Sequence, residues 1–162
     1  MAKEIERKFL LSGDAWRDLA TKSSELRQGY IAASERTSVR VRIAGRDAWL
    51  NIKCGGLEAV RDEYEYPLPL ADALELLASA ASGPVIAKTR YWVPYRGFEW
   101  EIDEFHGANE GLVVAELELD DEKRSFPVPP WIGAEVTHLE RYYNVKLVRH
   151  PYAQWSDAER RP

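Results

Sequence analysis

The 162-residue chain is predicted to be an α+β protein built on an eight-stranded antiparallel β-barrel with a charged lumen and a few helices packed outside. Three observations predict it. Charged pairs recur at alternate positions, apolar or aromatic residues fill the positions between them, and helical periodicity is confined to short stretches. Alternate residues of a strand share a face, so each such segment has one oily face and one charged face. A single face of this kind could simply be solvated. Its recurrence along the chain argues instead for closure into a barrel, which removes the sheet edges and turns the charged faces inward. Charges in such a lumen must be paired, hydrated or bound to a ligand.

The elements follow in order. A first strand over 3–11 carries Glu4, Glu6 and Lys8 on one face and Ile5, Arg7 and Phe9 on the other. Residues 12–22 read as a short helix, with Ser12 or Asp14 as its cap and Trp16, Leu19 and Ala20 on one side. A short strand over 28–32 is followed by strands over 37–44 with Arg40 and Arg42, 48–54 with Lys53, and 61–67 with Glu63 and Glu65. The clearest helical run is 70–81, stopped by Gly83-Pro84. Strands over 85–95 (Lys88, Arg90), 98–105 (Glu101, Asp103) and 111–119 (Glu116, Glu118) complete the eight. A third short helix is expected around 137–143. Residues 1–148 then form one domain, and the polar, Pro-bounded tail 149–162 is expected to be loosely ordered.

Composition narrows the function classes. The net charge of −5 argues against a nucleic-acid partner, whose binding surface would be basic. No apolar run is long enough to span a bilayer, and the N-terminus enters a charged strand directly, so no membrane partner and a cytoplasmic location are expected. The single cysteine, Cys54, excludes an intramolecular disulfide and sits where a strand meets a turn, as a small structural residue would. His106, His138 and His150 show no ligand spacing with it, which argues against zinc.

The inward positions hold eight acids (Glu4, Glu6, Glu63, Glu65, Glu101, Asp103, Glu116, Glu118) and six bases (Lys8, Arg40, Arg42, Lys53, Lys88, Arg90). A polyanion bridged by divalent metal suits that set. Arg and Lys donate to phosphate oxygens, while carboxylates would repel phosphate but hold Mg²⁺ or Mn²⁺. With more acids than bases inside, metal is expected to be required for a polyphosphate to enter. Trp49, on the parity of Lys53, could line a mouth and stack on an organic group, whereas Trp92, Trp100 and Trp131 read as packing. Arg141 either caps the lumen or closes a helix.

The opening Glu-x-Glu-x-Lys, Gln28-Gly29-Tyr30-Ile31, Arg40-x-Arg42, Ile52-Lys53, Glu63-x-Glu65, Lys88-Thr89-Arg90-Tyr91, Glu101-Ile102-Asp103-Glu104-Phe105 and Ala115-Glu116-Leu117-Glu118-Leu119 together resemble the CYTH superfamily, the triphosphate tunnel metalloenzymes. The resemblance continues through Trp131–Thr137 and Arg141-Tyr142-Tyr143-Asn144, and so covers about residues 1–148. It implies a small-molecule triphosphate substrate and a pair of divalent ions, Mg²⁺ or Mn²⁺. Glu4 and Glu6 would hold one ion, which acidifies the attacking water; Glu116 and Glu118, with Asp103, would hold a second that orients substrate. Lys8, Arg40, Arg42, Lys53, Lys88 and Arg90 would grip the phosphates, with Lys8, Lys53 and Tyr30 nearest the chemistry. Glu63, Glu65 and Glu101 would orient those cations or serve as ligands themselves. Short bacterial members of this pattern resemble inorganic triphosphatases; a class IV-type adenylate cyclase, an organic triphosphatase and a non-catalytic polyphosphate-binding module stay open. The oligomeric state is not legible.

Overall fold

Alternation of side chains builds the sheet. In the computed structural model, which describes residues 2–162, nine strands form one antiparallel sheet. They are β1 (Ala2–Leu11), β2 (Lys22–Ala33), β3 (Thr37–Ala44), β4 (Asp47–Cys54), β5 (Val60–Leu68), β6 (Ile86–Tyr95), β7 (Phe98–Phe105), β8 (Val113–Glu118) and β9 (Ile132–Glu135). The order β5-β4-β3-β2-β6-β7-β8-β1-β9 closes through a pairing of β1 with β5, so the first eight strands make the expected barrel. Strand β1 is the seam: its first residues pair with β5, Glu6 to Leu10 pair with β8, and Phe9 and Leu11 pair with β9 on either side of a register shift. The β6–β7 hairpin turns on Arg96-Gly97, both at positive φ (45° and 85°), the conformation a two-residue turn needs to match strand twist.

Three apolar clusters fix this barrel. On one outer face, helix α1 (Leu70–Ser79) lays Ala73 and Leu77 against Val41, Ile43 and Ala48. A Cβ at Gly29 would lie 2.8 Å from Leu77 Cδ2, so the absence of a side chain there is what lets the helix sit down on β2. On another outer face, Trp16, Trp100 and Trp131 pack with Ile5, Phe9, Ile102 and Leu117. The third cluster lies inside. Ile86, Phe105 and Val114 share strand parity with Lys88, Asp103 and Glu116, yet they pack against Val136, Tyr142, Leu147 and Trp155 from the C-terminal segment. That segment, including α2 (Asn144–Leu147), therefore plugs one end of the lumen.

Several local expectations are corrected. Residues 12–22 hold only a 3₁₀ turn, Arg17–Leu19, because Trp16 alone is drawn into the core while Thr21 and Lys22 already pair with Trp92. Strand β2 starts at Lys22 and not near 28, since its first half is stabilised by the β6 ladder from Lys22–Trp92 to Gln28–Ile86. Strand β9 has no charge alternation and was not foreseen. Residues 137–143 contain a 3₁₀ turn, Glu140–Tyr142, with α2 following. The tail is packed where looseness was expected: Trp155 is buried edge-on to Tyr142 and Tyr152, with ring centroids 5.0 and 5.1 Å away, and its indole donates to the His150 carbonyl at 3.0 Å. Among the described residues no helix is long and apolar enough to cross a membrane.

Candidate active site

The lumen encloses a cavity of about 480 Å³. Glu4, Glu6, Lys8, Tyr30, Arg40, Arg42, Lys53, Glu63, Glu65, Lys88, Arg90, Glu101, Glu116 and Glu118 all line it, each carried inward by the parity of its strand. Asp103 lies behind that surface, fully buried beneath Lys88 and Arg90. The charges are segregated. Strands β7 and β8 contribute only acids to the lumen and β3 and β4 only cations, and the closed order places β8 diametrically opposite β3.

The two signs interlock through short contacts. Lys8 Nζ lies 2.7 Å from Glu6 and donates to Glu116 at 2.5 Å. Arg90 donates from Nε and Nη2 to the two oxygens of Asp103 at 2.7 and 2.8 Å, from Nη2 to Glu116 at 2.7 Å, and from Nη1 to Glu101. Lys88 donates to Asp103 at 2.5 Å and to Asn144 Oδ1 at 3.4 Å. On the other side of the seam, Lys53 and Arg61 donate to the two oxygens of Glu4 at 2.6 and 3.0 Å. Arg42 donates to Glu65 at 2.9 Å, and Asn51 Nδ2 donates to Glu63 and Glu65 at 3.1 and 2.6 Å.

Some donors are unspent. Arg40 is buried, and its Nε, like those of Arg42 and Arg61, has no hydrogen-bond partner among the described residues. Gln28 is fully buried at the level of Arg42, with neither amide atom satisfied. Buried donors without partners are costly, and a ligand rich in acceptor oxygens would relieve that cost.

Protonation follows from the same contacts. Burial opposes the Lys8 charge, but Glu116 and Glu6 overcome it and raise its pKa; Glu116 is held well below the carboxylate range by Lys8 and Arg90 despite burial. Burial pushes Lys88 down to about 8 against the pull of Asp103, and burial with neighbouring Arg40 lowers Lys53. Burial raises Tyr30, whose phenol therefore stays a hydrogen-bond donor. Glu118 is raised by burial and then by the carboxylates of Glu4, Glu101, Glu6 and Glu63. Glu101 is raised by burial, Arg90 opposing, with Glu116 adding to the rise.

Those raised acids are the test of fit for a divalent ion. In the ladders Glu6 stands directly opposite Glu118, and Glu101 directly opposite Glu116, an arrangement that repels unless a cation intervenes. The donors are all carboxylate oxygens, the hard set that Mg²⁺ and Mn²⁺ favour. Among the described residues no three such side chains are already gathered as a cation site, because most are held by lumen cations. Glu118 makes none of these ion pairs and Glu6 has one oxygen open, so the set fits a divalent ion best around Glu6 and Glu118.

The structure also adds residues that the charge pattern passed over. Arg61, two positions before Glu63, shares its parity and was legible; Lys3 also reaches the cavity. With them the eight carboxylates meet eight cations, so the expected excess of interior negative charge is absent. Asn51 carries no charge and so gave no signal, although it shares the parity of Lys53. Tyr143 and Asn144 enter from the plug, with the Tyr143 ring 5.0 Å from Lys8 Nζ and 5.3 Å from the Arg61 guanidinium. Arg141 instead lies against Tyr142 and Trp155, outside the lumen. Trp49 sits under Arg42, and Trp92 donates its indole N–H to Glu101 at 3.0 Å, so Trp92 belongs to the mouth and not to the packed core.

The profile of the CYTH domain matches residues 2–152. An inorganic triphosphatase of Acetivibrio thermocellus is 48% identical over 157 residues, 97% of this chain and 100% of that protein. An inorganic triphosphatase of Nitrosomonas europaea is 36% identical over 149 residues, 89% of this chain and 95% of that protein. A crystal structure of an inorganic triphosphatase superposes with a TM-score of 0.66 at 34% identity, covering 91% of this chain and 95% of its own. A Hippeastrum protein described as a putative adenylyl cyclase with dominant triphosphatase activity shares the fold, with a TM-score of 0.59 at 17% identity over 73% of this chain and 80% of its own.

Proposed function

The chain belongs to the CYTH domain family, and from that premise we propose that it hydrolyses inorganic tripolyphosphate to pyrophosphate and phosphate in a divalent-metal-dependent reaction. One observation carries the reading: across the lumen a wall of cations with unspent donors faces a wall of crowded carboxylates. A phosphate chain between them meets guanidinium and ammonium donors on one side. Metal ions on the other side, when bound, supply charge neutralisation and acidify the attacking water.

The residues divide the remaining work. Arg40, Arg42, Lys53, Lys88 and Arg90 bind and orient the phosphates, and Lys8 and Tyr30 donate toward oxygens that gain charge as the bridging P–O bond breaks. The water oxygen bonds to the terminal phosphorus while pyrophosphate leaves in line. We assign the carboxylates to two ions, Mg²⁺ or Mn²⁺, with Glu4 and Glu6 toward one and Glu116 and Glu118 toward the other. Asp103 is better suited to positioning, since it lies fully buried behind the cavity wall, where it accepts from Lys88 and Arg90, whereas Glu4 and Glu116 line the cavity itself. Glu63, Glu65 and Glu101 hold Asn51, Arg42 and Arg90 in place. The barrel together with its plug, which takes in Tyr152 and Trp155 of the tail, is taken as the catalytic unit, acting in the cytoplasm.

An organic triphosphate is favoured by one feature, Trp49 and Trp92 on the lumen side near the β3–β4 and β6–β7 turns. Phosphate release from tripolyphosphate, ATP and thiamine triphosphate, with and without Mg²⁺, separates the readings. Tripolyphosphate that binds yet survives with every metal would leave a binding module; faster turnover of an organic triphosphate would shift the substrate.

A further inference from the structure

Behind the active-site lumen lies a second cavity of about 550 Å³. Its walls are the β2–β3 turn, the β4–β5 turn and the C-terminal plug, so it opens at the plugged end of the barrel and not at the mouth. Ser38, Lys53 and Val145 line both cavities, which makes these three side chains the partition between them. The partition is polar on the lumen side: Lys53 Nζ is held on Glu4 there at 2.6 Å.

The charge of this second cavity differs from that of the lumen. Arg36, Lys53, Lys146 and Arg149 contribute cations, and Glu35 and Glu140 contribute acids. Glu140 is already paired with Lys146 at 3.0 Å, and Lys53 with Glu4. Neither Arg36 nor Arg149 takes part in an ion pair among the described residues, so two guanidinium groups with free donor forks face a concave space. Guanidinium forks match phosphate oxygens geometrically and hold a charge at every working pH.

We propose that this cavity is an inorganic-phosphate oxyanion site behind the lumen, held by Arg36 and Arg149. Two sources supply the same chemistry: orthophosphate released by hydrolysis, or the terminal phosphate of a chain longer than three that reaches past Ser38 and Lys53. The role of the site in turnover rests on the triphosphatase reading, but binding itself does not. Both arginines are exposed, and the bonds Arg36 accepts from Gly55 and Gly56 are made by its backbone carbonyl, so truncating the two side chains is expected to leave the fold intact.

The test uses the full chain and the double variant R36A/R149A, with circular dichroism confirming the fold. Calorimetric titration with orthophosphate alone is expected to resolve a binding step in the native chain that weakens at least about fivefold in the variant, the scale of one charge-assisted hydrogen bond at an exposed site. Equal affinity in both proteins overturns the proposal. In turnover, kcat/KM for tripolyphosphate is expected to change less than about twofold, because neither arginine reaches the lumen. A higher KM for tetrapolyphosphate in the variant identifies the chain end as the occupant, and weaker product inhibition by orthophosphate identifies the released product. Loss of tripolyphosphate hydrolysis in the native chain would overturn the activity reading while leaving the titration result standing.

Discussion

At the scale of single residues, the lumen is a set of charges each positioned by its opposite. Lys8 is nearly free of solvent contact and bridges Glu6 and Glu116 from neighbouring strands, so it holds β1 to β8 as well as facing the cavity. On the proposed function Glu4 and Arg40 separate by role. Glu4→Gln is expected to lower kcat by about a hundredfold with little change in KM, and Arg40→Ala to raise KM by about tenfold or more, because the first alters water activation and the second a phosphate contact. Steady-state kinetics with tripolyphosphate at saturating Mg²⁺ checks both, and an unchanged kcat in Glu4→Gln would remove that residue from activation. Glu118 gives a pH signature. Burial and four neighbouring carboxylates raise its pKa above the ordinary 4.5, so it keeps its proton to higher pH and competes poorly for metal as pH falls. The acid limb of kcat/KM at limiting Mg²⁺ is thus expected above pH 4.5. Glu118→Gln should abolish that limb, and raising Mg²⁺ should move it down; a limb indifferent to both excludes Glu118 as its source.

Secondary elements behave as carriers of parity, and their errors of assignment are instructive. The charged faces of β1, β3, β5, β6, β7 and β8 were legible because alternation is a local property of the chain. The first half of β2 was not, since Lys22 to Leu26 carry no alternating pattern of their own and are strand only because β6 pairs with them. The plug was missed for a related reason. Its residues look polar in sequence, but Trp155 reaches back to Tyr142 across the barrel end. Trp155→Ala is expected to cost about 3–5 kcal/mol in urea unfolding, the usual scale for emptying a packed tryptophan site. A loss below about 1 kcal/mol would mean that the plug contributes little to the barrel.

For the whole molecule, closure decides the electrostatics. Carboxylates of β1, β7 and β8 are brought together by a barrel that could be stable only if their repulsion is offset, here by cations and, on the functional reading, by metal. Mg²⁺ alone is therefore expected to raise the melting temperature by several degrees, with EDTA reversing the shift, since an ion that binds the folded state at a hundredfold excess over Kd adds about 2.7 kcal/mol. A melting temperature indifferent to Mg²⁺, Mn²⁺ and EDTA would argue that the carboxylates do not gather metal.

Sequence by itself determined the inward and outward faces of most strands, the eight-strand count of the barrel and the charged residues that line the lumen other than Arg61 and Lys3, because parity along a strand is fixed by covalent geometry. Only the tertiary structure decided which charge meets which. The opposition of acidic β8 to basic β3 depends on ring closure, and the entry of Tyr143 and Asn144 from the plug depends on contacts such as Lys88 to Asn144, between residues more than fifty positions apart. No local pattern encodes such contacts, because they form only when burying the apolar outer faces compensates the entropy of closing the chain into a barrel.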